Sequence, residues 1–305
     1  MARKQKTPAF SLDDVLTACL LDMEARNLAA ETTLLYRQVV GYLSAYLEGQ
    51  GAPLTVADIT REHIQGYMRH TLEKVSATTA DIRFRTLRAF WNWAARENWI
   101  KASPMTGMQR PKRPAGPKPH FELHELKLLL EACKGSDFEH VRDTAILRFF
   151  IGTGCRLEEV SGLAVADVNV RDRRATVTGK GSRTRTVRLG AKTAAALHKY
   201  LLLRPQYAHS DSPALWLGTR GPLTSGGVSQ MVKRRLAEAG LPHAGPHKFR
   251  HTFAHHWRHR NGSVVDLEVL MGWSPNSPMS RHYGASAMAE VALEHADQFS
   301  VGEEV

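Results

Sequence analysis

A set of basic, aromatic and phenolic side chains in the second half of the sequence could act together on a phosphodiester. The candidates are Arg156, Lys180, His247, Arg250, Trp273 and Tyr283. His247 and Arg250 are one helical turn apart. Cationic side chains can cradle a phosphate, and nearby cations lower the pKa of a tyrosine phenol enough to make it a usable nucleophile. If these residues fold together, they would support phosphoryl transfer on DNA without a metal.

Taken singly, each of these residues has a plainer explanation. An arginine after a glycine turn is usually a surface residue, a lysine at a hairpin tip usually meets water, and Tyr283 alone would be half-buried core. Histidines 247, 251, 255 and 259 repeat every four residues and invite a zinc interpretation. However, no carboxylate lies among them and the His-Glu-x-x-His pattern is absent. The sequence therefore predicts neither a metal nor a cofactor.

The charge of the chain indicates a polyanionic partner. The net charge is +11, of which residues 1–118 carry +6 and residues 119–305 carry +5, and the pI is about 9.8. Because both parts are basic, the charge is not that of one tail. We predict double-stranded DNA as the partner, ahead of an anionic membrane. A basic surface kept for solubility is the alternative.

Other global features are typical of a two-domain protein of the cytoplasm. No apolar run approaches the roughly 18 residues of a membrane span, and no apolar core follows the basic amino terminus. Cys19, Cys133 and Cys155 are odd in number and widely spaced. Such a set favours buried thiols in a reducing compartment. We therefore expect a cytoplasmic protein that acts at the nucleoid.

Periodicity and capping residues divide the chain into four parts. Residues 8–100 predict four amphipathic helices, with starts signalled at Ser11, Thr60 and Ser76. Residues 101–119 are rich in proline and basic side chains and predict an interdomain linker. Residues 120–290 predict an α+β catalytic domain, and residues 291–305 a tail that could dock on a neighbouring protomer or on its own domain. Trp91, Trp93 and Trp99 are expected in the core.

Within the catalytic part, helices alternate with one short strand-rich stretch. Strands are predicted at Val165–Val170, Arg174–Thr178 and Thr184–Leu189, with Lys180 at the tip of the last hairpin. Helices are predicted at Glu122–Cys133, around Ala145–Phe150, and at Ala191–Leu203, Gly227–Ala239, His247–Arg260 and Val264–Met271. The fold class is therefore mainly α with a small antiparallel β-sheet.

Several basic residues before the catalytic part could contact DNA phosphates. They are Arg83, Arg85, Arg88, Lys112 and Arg113. Arg85 and Arg88 share one helix face at a spacing of three residues, which would suit contacts along a groove. A solvated helix face is the alternative explanation.

Five motifs in a fixed order identify a family resemblance. They are Thr153-Gly154-Cys155-Arg156-Leu157-Glu158-Glu159, Gly179-Lys180-Gly181, His247-Lys248-Phe249-Arg250-His251-Thr252-Phe253-Ala254, Met271-Gly272-Trp273 and Tyr283. With the four-helix segment and basic linker before them, they resemble the tyrosine recombinase (phage integrase) family over nearly the whole chain. The resemblance is to the compact Xer-like or simple integrase type, because no arm-binding module precedes residue 11. It implies a four-helix, SAM-like core-binding domain followed by a tyrosine recombinase catalytic domain.

The resemblance also implies a role for each matching position. Arg156 and Arg250 would hold the non-bridging oxygens of the scissile phosphate, and His247 would act as hydrogen-bond donor or proton carrier. Lys180 would protonate the leaving 5′ oxygen, while Tyr283 attacks in line and becomes joined to the 3′ phosphate.

Two further positions complete the implied site. Glu159 matches the acidic position that supports the site without doing chemistry. Trp273 stands where many members have histidine; an indole N–H donates a hydrogen bond but transfers no proton, so a positioning role is expected.

The implied function is site-specific DNA recombination and integration, an activity of mobile elements, by a homotetramer on two DNA sites, with accessory proteins as possible further partners. A type IB topoisomerase-like relaxer and a catalytically silent DNA-binding relative are the alternatives. The former shares the chemistry but not necessarily the site specificity. The latter is disfavoured by the intact Arg156, Lys180, Arg250 and Tyr283.

Overall fold

The computed structural model of the protein describes residues 10–112, 119–179, 181–277 and 279. The chain forms two compact units, Met1–Gly116 and Pro117–Val305. Most described residues are helical, and short antiparallel strands occur in the second unit. The predicted fold class, mainly α with a small antiparallel sheet, is thereby confirmed. None of the described helices is long and apolar enough to cross a membrane.

Four helices make up the described part of the first unit, as the sequence predicts. They are α1 (Leu12–Ala25), α2 (Ala30–Gly49), α3 (Arg61–Lys74) and α4 (Ala77–Arg96). At the start of α1, the Ser11 hydroxyl accepts the Asp14 N–H at 3.1 Å and the Asp14 carboxylate accepts the Ser11 N–H at 2.9 Å. The Ser76 hydroxyl accepts the Thr79 N–H at 3.2 Å before α4. These bonds satisfy N–H groups that have no partner inside the helix, which is why the helices begin there.

Aromatic residues of α4 form the centre of the first core. Trp91 and Phe84 are fully buried, and Trp93 is buried while its indole N–H donates to Asp22 at 3.0 Å. Trp99 packs against the same core, partly buried. The expected core placement of the three tryptophans is confirmed.

The first part of the predicted linker packs on this unit. Met105 and Met108 are buried in the first core. Arg110 donates two bonds of 2.9 Å to the buried carboxylate of Asp81 on α4. Residues 101–112 are therefore held by apolar burial and an ion pair, which proline content and charge alone did not reveal.

Seven α-helices belong to the described part of the second unit. They are α5 (Leu123–Glu131), α6 (Phe138–Thr153), α7 (Leu157–Ser161), α8 (Ala191–Leu203), α9 (Ser225–Glu238), α10 (His247–His259) and α11 (Val264–Met271). Side-chain caps at Asp137, Thr224 and Ser263 begin α6, α9 and α11. Helix α6 packs against α8 and α10 and is buried on most of its surface. It is therefore the central helix of this unit.

A three-stranded antiparallel sheet lies beside the helices, in the order β1 (Val168–Asn169), β2 (Arg174–Thr178) and β3 (Thr184–Arg188). Strands β2 and β3 form the predicted hairpin, in which Val177 pairs with Arg185. A second sheet, β4 (Leu217–Gly218) with β5 (Gly221–Pro222), was not predicted, because two-residue strands leave no alternation to detect.

The predicted strand over Val165–Val170 is wrong in its first half. Residues Val165–Asp167 form a 3₁₀ turn, and only Val168–Asn169 is strand. The Asp167 carboxylate accepts the Ala164 N–H at 2.8 Å, and this local bond closes the turn.

The core of the second unit contains the remaining cysteines. Cys133 and Cys155 are buried, as Cys19 is in the first unit, and all three are free thiols. The expectation of small buried apolar residues is confirmed. Trp216 is also buried and donates its indole N–H to the Val160 carbonyl at 2.8 Å, which fixes the end of α7 to the core.

Candidate active site

The Arg250 side chain forms hydrogen bonds to both of the turns that precede Arg156 and Trp273. Its side chain is fully buried on α10 (0% exposed). Nη1 donates to the Gly154 carbonyl at 3.0 Å, and Nη2 donates to the Met271 carbonyl at 2.6 Å. Both carbonyls lie at helix ends, where no intrahelical N–H remains to bind them. Because the guanidinium donates to both carbonyls, its orientation is fixed and the two chain segments are held next to each other.

Glycine is required at position 154 for this arrangement. Gly154 follows α6 with a φ of 61°, a left-handed conformation that favours glycine. An added Cβ would lie 2.9 Å from Cβ and Cγ of Phe253 on α10. The close approach of α6 and α10 brings the Gly154 carbonyl within reach of Arg250.

Arg156 begins α7 and is held by Glu159. Its backbone N–H donates to Glu159 Oε2 at 2.7 Å, and its Nη1 donates to Glu159 Oε1 at 2.9 Å. The Arg156 side chain keeps 35% of its surface exposed. This guanidinium is therefore anchored on one side and open to solvent on another.

Glu159 is a buried carboxylate (2% exposed) that is held in its ionised form. Burial alone would raise its pKa, but hydrogen bonds from Arg185 and from the Arg156 backbone, together with the charge of Arg185, lower the pKa to about 2. Glu159 is therefore ionised at every physiological pH.

Arg185, the second arginine that binds Glu159, was not among the site residues predicted from the sequence. Its Nη1 and Nη2 donate to Oε1 and Oε2 of Glu159 at 2.7 and 2.9 Å. Val187, two residues along β3, is buried, so strand alternation places Arg185 on the same inward face. An arginine in phase with buried strand residues was the signal that could have revealed it.

Trp273 lies directly after the left-handed end of α11. Gly272 has a φ of 62°, and the Trp273 N–H donates to the Glu268 carbonyl at 2.9 Å. The centre of the Trp273 ring is 5.2 Å from Cζ of Arg250, a distance typical of a cation–π contact. Trp273 is therefore placed against one of the two candidate phosphate-binding arginines.

His247 is the first residue of α10, one turn before Arg250, and it is exposed. Its ring lies edge-on to His251, with 5.0 Å between the ring centres. The histidine repeat continues inward, where His255 is buried and stacks on His120 at 3.6 Å. Among the residues that the structure describes, no group of three His, Cys, Asp or Glu side chains could hold a metal ion.

Three candidate residues, Lys180, Tyr283 and Arg113, lie outside the described residues. Gly179, the residue before Lys180, is described, and an added Cβ there would lie 3.1 Å from Glu159 Oε1. The structure thus brings together Arg156, Glu159, Arg250 and Trp273, with His247 on the same helix as Arg250. The chemical roles of all these residues stay predictions.

The remaining basic candidates lie in the first unit. Arg85 is exposed and binds Asp81 at 3.2 Å; Arg83 lies over the Tyr42 ring, with 4.3 Å to its centre. Arg88 donates to the Met108 carbonyl and lies over the Phe84 ring. Lys112 is exposed. Their contact with DNA stays a prediction.

Comparisons with known proteins match both units. Residues 120–290 match the phage integrase family, and residues 18–110 match the phage integrase SAM-like domain. Tyrosine recombinase XerD of Corynebacterium glutamicum is 30% identical over 280 residues, which cover 87% of this chain and 92% of that protein.

Solved structures share the fold at lower identity. The XerH site-specific recombinase bound to palindromic difH substrate has a TM-score of 0.73 at 19% identity, covering 94% of this chain and 84% of that one. A lambda integrase tetramer bound to a Holliday junction has a TM-score of 0.71 at 17% identity, covering 91% and 84%. At these identities the likeness is one of fold alone.

These matches agree with the family that the sequence motifs indicate. The SAM-like domain and the integrase catalytic domain predicted from the sequence are confirmed. The integrase match covers more than half of this chain, and the similarity to XerD extends over most of both proteins. The chain therefore belongs to the phage integrase family of tyrosine recombinases, the enzymes that cleave and rejoin DNA in site-specific recombination.

Proposed function

We propose that this protein cleaves and rejoins DNA at a specific site through a 3′-phosphotyrosyl intermediate on Tyr283. The observation that carries the proposal is the convergence of Arg156, Glu159, Arg250 and Trp273 in one cluster. Family membership supports the reaction class, and the cluster supports the assignment of roles to individual side chains.

Arg156 and Arg250 would supply the positive charge that the phosphate needs. Phosphoryl transfer places negative charge on the equatorial oxygens, and fixed cations stabilise that charge without reorganising. Arg156 combines an anchored guanidinium with exposed surface, as a phosphate ligand must. Arg250 is held rigidly by two carbonyls and would strengthen the field at the same phosphate. Loss of one such donor typically costs about 3–4 kcal/mol of transition-state stabilisation.

The remaining candidates would carry the proton and the covalent bond. The Tyr283 oxygen would form a new bond to phosphorus as the bond to the 5′ oxygen breaks. Lys180 would give that leaving oxygen its proton. A Cβ added at the preceding Gly179 would lie 3.1 Å from Glu159 Oε1, and this closeness supports a place for Lys180 near the cluster. His247 would donate a hydrogen bond or carry the phenol proton, and Trp273 would position the phosphate with its indole N–H. Rejoining reverses these steps, so no ATP is needed.

We further propose double-stranded DNA as the substrate and a homotetramer on two DNA sites as the active assembly, with accessory proteins as further partners. The net charge of +11 supports a DNA partner. The likeness in fold to lambda integrase, captured as a tetramer on a Holliday junction, supports the assembly. The protein would then act in the cytoplasm, at the nucleoid.

A Tyr283→Phe variant tests the proposed chemistry. The DNA site is first found by footprinting the protein on the DNA around its own gene, and a nicked suicide duplex of that site is then prepared. We expect wild-type protein to form a covalent protein–DNA adduct, and Tyr283→Phe to bind the duplex equally well without forming one. Tyr207→Phe, a control in the same unit, should form the adduct normally. A normal adduct yield from Tyr283→Phe contradicts the proposal.

A further inference from the structure

Arg185 joins three elements of the second unit through one guanidinium. Two N–H groups form a fork on Glu159 of α7, at 2.7 and 2.9 Å. Nε donates to the Leu270 carbonyl in the last turn of α11 at 2.8 Å. Nη2 also lies 3.7 Å from Cys155 Sγ, beside the start of α7. With only 14% of its side chain exposed, Arg185 connects β3, α7 and α11 from inside the protein.

Each of these contacts lies next to a residue of the proposed reaction. Glu159 Oε1 accepts from Arg185 and also from Arg156, at 2.9 Å. Leu270 precedes Met271, whose carbonyl accepts from Arg250. Arg185 therefore binds Glu159, which holds Arg156, and the Leu270 carbonyl, which lies beside the Met271 carbonyl that accepts from Arg250. Arg185 itself is not proposed to bind the phosphate.

The fork on Glu159 determines how much charge Arg156 can offer to a phosphate. Arg156, Arg185, Arg250 and Glu159 together carry +2. Without the charge of Arg185 this sum falls to +1, and Glu159 is left to attract Arg156 alone. At about 3 Å in a partly dry site this attraction is strong. The Arg156 guanidinium would then be drawn toward the carboxylate.

We infer that Arg185 is a positioning residue for DNA cleavage. It occupies the Glu159 carboxylate so that Arg156 stays available to the scissile phosphate, and it fixes the end of α11 that precedes Trp273. The inference rests on the proposed function, because Arg156 is taken as the phosphate ligand. A purely structural ion pair would stabilise the fold but would not set the cleavage rate.

Four variants separate these two roles: Arg185→Met, Arg185→Lys, the double variant Arg185→Met with Glu159→Gln, and the control Arg188→Met. Arg188 lies on the same strand and is exposed. Single-turnover cleavage of the nicked duplex at saturating DNA, the Kd for DNA and the Tm of each full-length protein are measured. Arg185→Lys keeps the positive charge but cannot form the paired N–H bonds to Glu159. It keeps the inference testable if Arg185→Met does not fold.

We expect Arg185→Met to cleave at least tenfold more slowly than wild type, with a Kd for DNA within threefold of the wild-type value. The cleavage rate of Arg185→Lys should lie between those of wild type and Arg185→Met. The double variant restores the net charge of +2 and frees Arg156, so it should cleave at least fivefold faster than Arg185→Met. Tm is compared across the same set, because a purely structural ion pair would make the cleavage rates follow Tm, whereas a positioning residue would not. Arg188→Met should stay within twofold of wild type in cleavage.

Wild-type cleavage rates for Arg185→Met and Arg185→Lys overturn the inference. So does a double variant no faster than Arg185→Met, with rates that simply follow Tm across the set. In both cases wild-type protein still forms its Tyr283 adduct, so the proposed function stands. Absence of that adduct from wild-type protein overturns the proposed function and, with it, the positioning role.

Discussion

Replacing Glu159 with glutamine should make the stability of the protein respond differently to pH. The carboxylate is buried and binds two arginines through three side-chain hydrogen bonds. Its pKa in the folded protein is about 2, against an ordinary value of 4.5. A carboxyl group whose folded pKa is depressed contributes stability above its unfolded pKa and loses that contribution as pH falls toward the folded value.

The size of the effect follows from these two pKa values. They differ by about 2.5, and each pKa unit corresponds to about 1.36 kcal/mol, so ionised Glu159 contributes up to about 3 kcal/mol at pH 7. The figure is an upper one, because Arg156 is partly exposed and solvent screens its charge. At pH 3 the same linkage leaves about half of that contribution. Most of this decrease in the Glu159 contribution occurs between pH 5 and pH 3.

Denaturant unfolding of wild-type protein and Glu159→Gln at several pH values between 7 and 3 measures this contribution. The gap in free energy of unfolding should be near 3 kcal/mol at pH 7 and should shrink by about half at pH 3. Glu158→Gln is the matched control, since Glu158 is the exposed neighbour on α7, and its gap at pH 7 should be small. A gap for Glu159→Gln that stays constant across this range would refute the reasoning.

Two further substitutions test other parts of the cluster. Gly154→Ala should lower the free energy of unfolding by about 2 kcal/mol or more, because a left-handed backbone and a Phe253 contact of 2.9 Å both oppose a Cβ; wild-type stability in denaturant unfolding would contradict this. Trp273→His should keep much of the cleavage activity, whereas Trp273→Phe should lose roughly tenfold or more, because phenylalanine keeps a ring over Arg250 but has no N–H donor. Equal single-turnover rates for all three proteins would exclude a hydrogen-bonding role.

Local signals in the sequence were enough to predict most helices and the main hairpin. The helix predicted at Val264–Met271 is observed with the same bounds, starting at the Ser263 cap and ending at Gly272. Ala191–Leu203 is also observed as predicted. Such elements carry their own caps, periodicity and glycine ends, so neighbouring residues decide them.

The contacts that assemble the site could not be predicted in the same way. Arg185 binds Glu159, 26 residues away, and Leu270, 85 residues away. No local pattern selects these partners, because only the packed tertiary structure brings helix ends and strands together. The strand predicted from Val165 failed for a related reason, since the Asp167 side chain bonds to the backbone and favours a turn.

The arginines proposed for phosphate chemistry also hold the fold together, and this ties activity to stability. Arg250 satisfies carbonyls at the ends of α6 and α11, and Arg185 satisfies the carbonyl just before the second of these. Removing either cation would leave buried polar groups without partners, at a cost of several kcal/mol. Arg156 differs, because a third of its side chain is exposed and, among the residues that the structure describes, its guanidinium bonds only to Glu159. Loss of activity at Arg156 therefore reports on chemistry most directly, whereas the same loss at Arg250 combines chemistry with folding.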